Sequence, residues 1–245
     1  MVARSAALRA VHEYIESSGS AFLKNVRWVP GLTCRRCAGI PSPGYDTCLA
    51  CSTRSRQSGL VDRLGFVTYA WPDGQAGRTM HAYKGGGETS YQLVDALLTY
   101  AAAAHWGCAV DNDGATPTSW AYVPSLSGRQ GTHPIQQIAS RFLKRVPAIE
   151  ITPTPRPGGT RSFDPGHFKA RSTDAKHVIL FDDTWTSGGH MESASAALKA
   201  AGAETVTGLV VARWVVPSWA NTKAVMDVFA DAFDPDICPY SGERC

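Results

Sequence analysis

No stretch of this chain approaches the ~20 consecutive apolar residues that a bilayer-spanning helix requires, and its first residues lack the basic-then-apolar order of a secretory signal. Both absences point to a cytoplasmic protein with no membrane partner. Charge of one sign is also scarce. With 24 Lys and Arg against 21 Asp and Glu, the formal net charge is +3, and a nucleic-acid-binding domain usually concentrates far more basic surface on one face. A disulfide framework is excluded in turn. Only seven cysteines occur in 245 residues, and four of them crowd into two close pairs, so a reducing cytosol leaves their thiolates free for metal. What is present, at 44% hydrophobic content, suffices for one substantial core with a small appended module.

The two pairs are Cys34-Arg-Arg-Cys37 and Cys48-Leu-Ala-Cys51, separated by ten residues that include Gly39, Pro41, Pro43 and Gly44. Each C-x-x-C knuckle can aim two sulfurs at one point. Four thiolates complete a tetrahedral Zn2+ shell with no open position, so the predicted site is structural. The spacing is that of a zinc ribbon, placed at residues 31–62. Paired redox thiols are the alternative, but such motifs open a helix in a thioredoxin-like unit, and that pattern is missing. Cys108 reads as a small buried hydrophobe. Cys238 and Cys245 read as frayed tail residues, with a clip onto the ribbon or a second metal as their other uses.

The most informative stretch runs from His177 to Gly189: a short apolar run, two adjacent acids, then a turn rich in hydroxyls and glycine. Val178 to Phe181 predict a buried strand of a parallel sheet ending at Asp182. Met191 to Ala201, rich in Ala with Glu, Leu and Lys, predicts a helix that Gly202 stops. Small residues at the start of that helix form a cradle for phosphate, because the first turn leaves N–H groups unsatisfied and adds a positive dipole end. Asp182 and Asp183 cannot themselves bind phosphate. They suit the hydroxyls of an attached sugar, or a Mg2+ ion carried with a polyphosphate. The plainer alternative is an ordinary acidic strand end followed by a glycine turn.

Other segments fit around this one. Ser5 to Glu16 and Tyr91 to Trp106 predict helices, the latter with Leu93, Ala96, Leu97, Tyr100 and Ala104 on one face. Ser119 to Val123 predicts a core strand, and the loop 124–133 after it offers hydroxyls, N–H groups and the Arg129 guanidinium to an anion. Pro134 opens a predicted helix to Arg145, and Ala148 to Thr152 predicts another strand. The Pro-, Gly- and Arg-rich stretch that follows is too long for a simple connection, and Arg156, Arg161, Lys169, Arg171 and Lys176 make it either a functional loop or a solvated basic one. Thr205 to Val216 reads as the strand at the sheet edge.

The order Val178-Ile-Leu-Phe-Asp182-Asp183-Thr184-Trp185-Thr186-Ser187-Gly188-Gly189-His190 resembles the binding motif of type I phosphoribosyltransferases, which use 5-phosphoribosyl 1-diphosphate (PRPP). The resemblance implies an α/β, Rossmann-like fold with a parallel sheet. It also implies that Asp182 and Asp183 hold the ribose hydroxyls, while Thr184, Trp185, Thr186, Ser187, Gly188, Gly189 and His190 surround the 5-phosphate. His190 departs from the Thr or Ser usual at its position. By the same resemblance Ser125, Leu126, Ser127, Gly128 and Arg129 form the pyrophosphate loop, with Arg129 as the charge clamp, and residues 153–176 supply a closing lid. Mg2+ would come with PRPP.

A zinc ribbon followed by such a domain is similar to the ComF family, over about residues 33–214. Phe66-Val-Thr-Tyr-Ala-Trp71, a strand-like alternation, then a turn at Pro72-Asp-Gly74 and Thr79-Met-His-Ala-Tyr-Lys84-Gly-Gly-Gly87 look like that family's strand pair leading to a Tyr-Lys and Gly signature, whereas Gly131-Thr-His-Pro-Ile-Gln136-Gln137 replaces its usual Arg-Gly-Phe-Asn-Gln. The implied division is a helical segment 1–30, the ribbon 31–62 and the phosphoribosyltransferase domain 63–245. The implied activity is Mg2+-dependent transfer of ribose 5-phosphate from PRPP to a nitrogen-containing acceptor, releasing pyrophosphate. Glutamine amide hydrolysis is not expected, since no nucleophilic cysteine stands near residue 1. Trp71, Tyr83, Tyr122, Trp185 and Trp214 are the aromatic candidates for stacking on an acceptor. The rival expectation is a non-catalytic ComF-like accessory protein that binds DNA or a protein partner through Arg35, Arg36, Arg54, Arg56, Arg63 and Tyr45, with the PRPP pocket as a ligand sensor.

Overall fold

The structure, a computed structural model, describes residues 5–110, 114–126, 131–155, 161–216 and 230–245. In chain order the elements are α1 (Ala6–Gly19), α2 (Leu49–Arg54), β1 (Arg63–Ala70), α3 (Gln75–Ala82), α4 (Glu88–Ala104), β2 (Ser119–Tyr122), α5 (Pro134–Phe142), β3 (Ile151–Pro153), β4 (Phe168–Ala170), β5 (His177–Trp185), α6 (Gly189–Ala200) and β6 (Thr205–Trp214). The main sheet is wholly parallel, in the order β1-β6-β5-β2. A second, antiparallel pair joins β3 to β4.

Near-continuous apolar runs make β5 and β6 strands buried on both faces, as a parallel sheet covered by helices requires. Along β5, Ile179 and Phe181 face a cluster built from α1, α3, α4 and α5, including Ile15, Met80, Leu97, Ile135 and Ile138. Val178 and Leu180 point the other way, against Met191, Ala194 and Leu198 of α6, Phe168 of β4, and Cys34, Cys37 and Cys51. The cysteine segment therefore shares an apolar cluster with the sheet. Truncating Phe181, which is fully buried, would cost about 3–5 kcal/mol. α5 starts as its sequence demands: Pro134 fills the first turn and His133 Nδ1 accepts the Ile135 N–H at 3.2 Å.

Several expectations require correction. β6 is an interior strand between β1 and β5, consistent with its unbroken apolar run Leu209–Ala212. Of the expected strand pair, Phe66 to Ala70 lie in β1, but residues 79–87 supply no second strand. They continue α3 and end in a 3-10 turn, Tyr83–Gly85, with Gly86 at φ +94°. Helix forms there because Gly77 lets α3 approach the Trp71 carbonyl, which a Cβ would meet at 1.9 Å. Residues 31–62 contain turns and α2 but no strand, since Pro41 and Pro43 cannot serve a β ladder. The strand foreseen at 148–152 splits: Ala148 bridges Trp120 at the main sheet, and Ile151–Pro153 turn away to pair with β4. Cys238 is not frayed but 1% exposed, and Cys108 is half-buried beside Cys245, not a core hydrophobe. Among the described residues no helix is long and apolar enough to cross a membrane.

Candidate functional site

Helices α5 and α6 leave β2 and β5 on opposite faces of the sheet, which opens a crevice beyond the carboxyl ends of those neighbouring strands. Open α/β sheets bind ligands at such a switch point. A cleft of about 710 Å³ lies there, walled by Asp182, Asp183 and Thr184 of β5, by 186–191 at the start of α6, by Val123 to Leu126 after β2, and by Met80, His81, Lys84, His133, Arg161 and Trp214.

The two acids have different surroundings. Asp183 is 4% exposed, and its Oδ2 accepts from the Tyr83 hydroxyl and pairs with Lys84 Nζ. Burial pushes its carboxyl up, but the Lys84 charge and the hydrogen bonds from Lys84 and Tyr83 outweigh burial and hold it below the usual carboxylate range. Asp182 is half-buried, and its Oδ1 accepts the Asp183 N–H at 2.8 Å. Burial and the adjacent Asp183 charge push its carboxyl well above the usual range, with Lys84 opposing. Lys84 and Tyr83 thus favour the ionised form of Asp183, whereas burial and the neighbouring charge shift Asp182 toward its neutral form.

The loop beside them is built for close backbone approach. Gly188, the N-cap of α6, has φ +83°, and a Cβ on it would lie 2.1 Å from the Trp185 ring. Gly189 faces the 161–162 backbone, where a Cβ would meet the Arg161 carbonyl at 2.1 Å. Ser187 Oγ donates to that carbonyl at 2.8 Å, which draws the segment from Arg161 onto the first turn of α6. Two arginines hold the loop from behind. Buried Arg213 donates Nη1 to the carbonyls of Trp185 and Thr186, each at 3.2 Å, and Arg54 donates to the Ser187 carbonyl. With these carbonyls engaged, the loop's N–H groups and the Thr186 hydroxyl stand at the positive end of α6, a setting that suits an anion.

Arg213 also ties the loop to the cysteine cluster, donating Nε to the Cys37 carbonyl at 2.7 Å and Nη2 to Cys37 Sγ at 3.3 Å. All four sulfurs of Cys34, Cys37, Cys48 and Cys51 lie within 4.8 Å of one another, and Cys37 and Cys48 are 3.7 Å apart. A tetrahedral ion with Zn–S bonds of about 2.3 Å spaces its sulfurs roughly 3.8 Å apart. The donor set therefore fits structural zinc. Mutual hydrogen bonds push the Cys34 and Cys37 thiols down and those of Cys48 and Cys51 up, and the Arg213 charge adds to the lowering at Cys37. Thiolate is the form a metal takes. A further link comes from α6, whose fully buried Glu192 accepts from Arg36 and from the Val61 N–H, both at 2.8 Å.

The structure gathers Asp182, Asp183, Thr184, Thr186 to His190, Ser125 and Leu126 around one cleft. Ser127, Gly128 and Arg129 lie outside the described residues. Trp185 does not face the cleft; it is buried against Phe66, edge to face at 5.6 Å. Thr184 still belongs to β5, paired with Ala212. Of the cations between 153 and 176, Arg161 lines the cleft, Lys176 pairs with Glu204, and Arg156 lies outside the described residues. Arg213 was missed as a site residue, and three others take roles the sequence did not assign: Tyr83, expected to stack on an acceptor, donates to Asp183, Lys84 of the Tyr-Lys signature pairs with Asp183, and Arg54, expected on a partner-binding face, holds the Ser187 carbonyl. For Arg213 a signal existed, a charge closing the apolar run of β6, where an unpaired guanidinium would be costly. A wider groove of about 1040 Å³ runs along the outer side of the cysteine segment, but Arg36 is spent on Glu192, Asp62 on Lys199 and Arg63 on the Tyr240 ring. The cleft at β5 and α6 is the better candidate. Comparison with family models, curated proteins and solved structures gives no match for this chain, so the class that fold and site define is an α/β protein with a parallel sheet and a four-cysteine cluster suited to zinc.

Proposed function

We propose that this protein is a Mg2+-dependent phosphoribosyltransferase of the type I, ComF-like kind, moving ribose 5-phosphate from PRPP to a nitrogen-containing acceptor. One observation carries the reading: the acid pair Asp182-Asp183 and the glycine cradle at the start of α6 open into the same cleft. A sugar phosphate needs that combination, acceptors for its hydroxyls one strand end away from donors for its phosphate. In this reading Thr186 to Gly189 hold the 5-phosphate, Asp182 accepts the ribose hydroxyls, and Asp183 fixes Lys84 at the cleft wall. Mg2+ carried in with PRPP would neutralise the departing pyrophosphate. As the C1–pyrophosphate bond loosens, positive charge grows on the ring, and the fixed carboxylates favour it electrostatically. His81 and Trp214, edge to face at 5.3 Å, line the same cleft and suit a planar acceptor.

Pyrophosphate release from PRPP and Mg2+, measured across a panel of nucleobases and amines, tests the proposal. Turnover with at least one acceptor, reduced more than 100-fold by Asp182→Asn, is expected. PRPP binding without release across the panel would contradict a transferase and favour the ligand-sensor alternative.

A further inference from the structure

On the opposite face of the sheet, at the end of α4, four more ligand-type side chains converge. His105 caps α4 and Cys108 ends the short turn Trp106–Cys108. Cys238 and Cys245 come from a small hairpin held by the antiparallel bridge between Ile237 and Arg244 and by the Cys238 N–H on the Glu243 carbonyl at 2.8 Å. The donor atoms of all four lie within 4.8 Å of one another. His105 Nδ1 is 3.2 Å from Cys245 Sγ, which is 3.2 Å from Cys108 Sγ.

These sulfurs are unbonded, because a disulfide requires about 2.05 Å. A tetrahedral zinc ion with its usual Zn–S and Zn–N bonds spaces such donors roughly 3.5–3.8 Å apart. The two 3.2 Å approaches would need to open by only a few tenths of an ångström to seat the ion. The imidazole is already oriented for it. His105 Nε2 lies 3.3 Å from the Pro235 carbonyl, so the tautomer that donates there leaves the Nδ1 lone pair turned to the thiols, the outer-shell arrangement that metal-bound histidines adopt. His105 and Cys238 are 4% and 1% exposed, which places half of the donor set out of water.

We propose that His105, Cys108, Cys238 and Cys245 form a second structural zinc site, a Cys3His centre that fastens residues 230–245 across β1. β1 is the outer strand of the sheet, and an uncovered edge invites pairing with another chain. The fastened segment covers it: the Phe66 N–H donates to the Pro239 carbonyl at 2.9 Å, and the Tyr240 ring packs where a Cβ on Gly65 would meet it at 2.6 Å. The ion thus joins the end of α4 to the segment that closes the sheet.

The test uses the full chain, expressed with zinc and purified under reductant without chelator, with metal content measured by plasma mass spectrometry. Two zinc ions per chain are expected, falling to one in the doubly substituted Cys108→Ser, Cys245→Ser protein. Cobalt spectra guard against variants that misfold: His105→Cys should keep both ions and strengthen the sulfur-to-cobalt charge-transfer band. One zinc per chain in the unaltered protein would overturn the proposal. So would two in the doubly substituted protein, or a Cys108–Cys245 disulfide in the protein as isolated.

Discussion

The two cysteine-containing clusters face opposite sides of one sheet, and only the first reaches the cleft. Cys37 meets Arg213, Arg213 meets the carbonyls of the loop after β5, and Arg36 and Arg54 add contacts to α6 and that loop. The second cluster touches the end of α4 and the segment that covers β1. A metal in the first position would therefore set the shape of the loop at the cleft, and one in the second would secure a sheet edge. Similar ligand chemistry serves two ends, decided by what the neighbouring side chains hold.

The largest effect should come from breaking the first cluster. Cys37→Ser removes a ligand of the zinc-suited cluster together with the sulfur that accepts from Arg213 Nη2, and because structural zinc contributes about 10–16 kcal/mol to the folding of small zinc modules, PRPP affinity should fall more than 100-fold in calorimetry. Cys108→Ser should leave that affinity within a small factor. Equal losses in the two variants would erase the distinction. Next comes Arg213→Met. It leaves several carbonyls and the Cys37 thiolate without their donor, at a cost of about 3–5 kcal/mol in chemical denaturation, and Lys in its place cannot restore a fork of donors.

Gly188→Ala sharpens the picture within the loop. Positive φ and contact with the Trp185 ring should destabilise the fold by about 1–3 kcal/mol and weaken phosphate binding, whereas Gly44→Ala, also at positive φ but with open space around it, should affect stability alone. The smallest effects on stability separate the two acids. Asp183 has a lowered folded pKa, so it contributes stability above its unfolded value that is lost as pH falls through the folded one. Asp183→Asn should lower the melting temperature at pH 7. Asp182 has a raised folded pKa, so its charge disfavours the fold increasingly as pH rises from the unfolded value, about 3.9, to the folded one. Asp182→Asn should raise the melting temperature at pH 7, with the gain vanishing near pH 4, while removing PRPP binding. Thermal scans at both pH values read the sign directly.

Local patterns were legible where local physics decides. The strand, loop and helix over 177–200 follow from an apolar run, a glycine turn and an alanine-rich stretch, and the knuckles Cys34–Cys37 and Cys48–Cys51 follow from spacing. What escaped depends on register and on distant pairing. Tyr83 and Lys84 meet Asp183 from across the chain. Arg213 reaches the loop because β5 and β6 place it opposite Trp185. β6 was misplaced at the edge because a buried strand's sequence does not state its neighbours. His105 and Cys108 find Cys238 and Cys245 only through tertiary packing, with no spacing motif to announce them.

The most direct test of the central claim is a calorimetric titration of the zinc-loaded protein with PRPP and Mg2+, repeated on the Asp182→Asn, Asp183→Asn double variant. Saturable binding at one site per chain, dependent on Mg2+ and lost in the double variant, is the predicted result. No binding to the unaltered protein, or binding undiminished without the two carboxylates, would contradict the account.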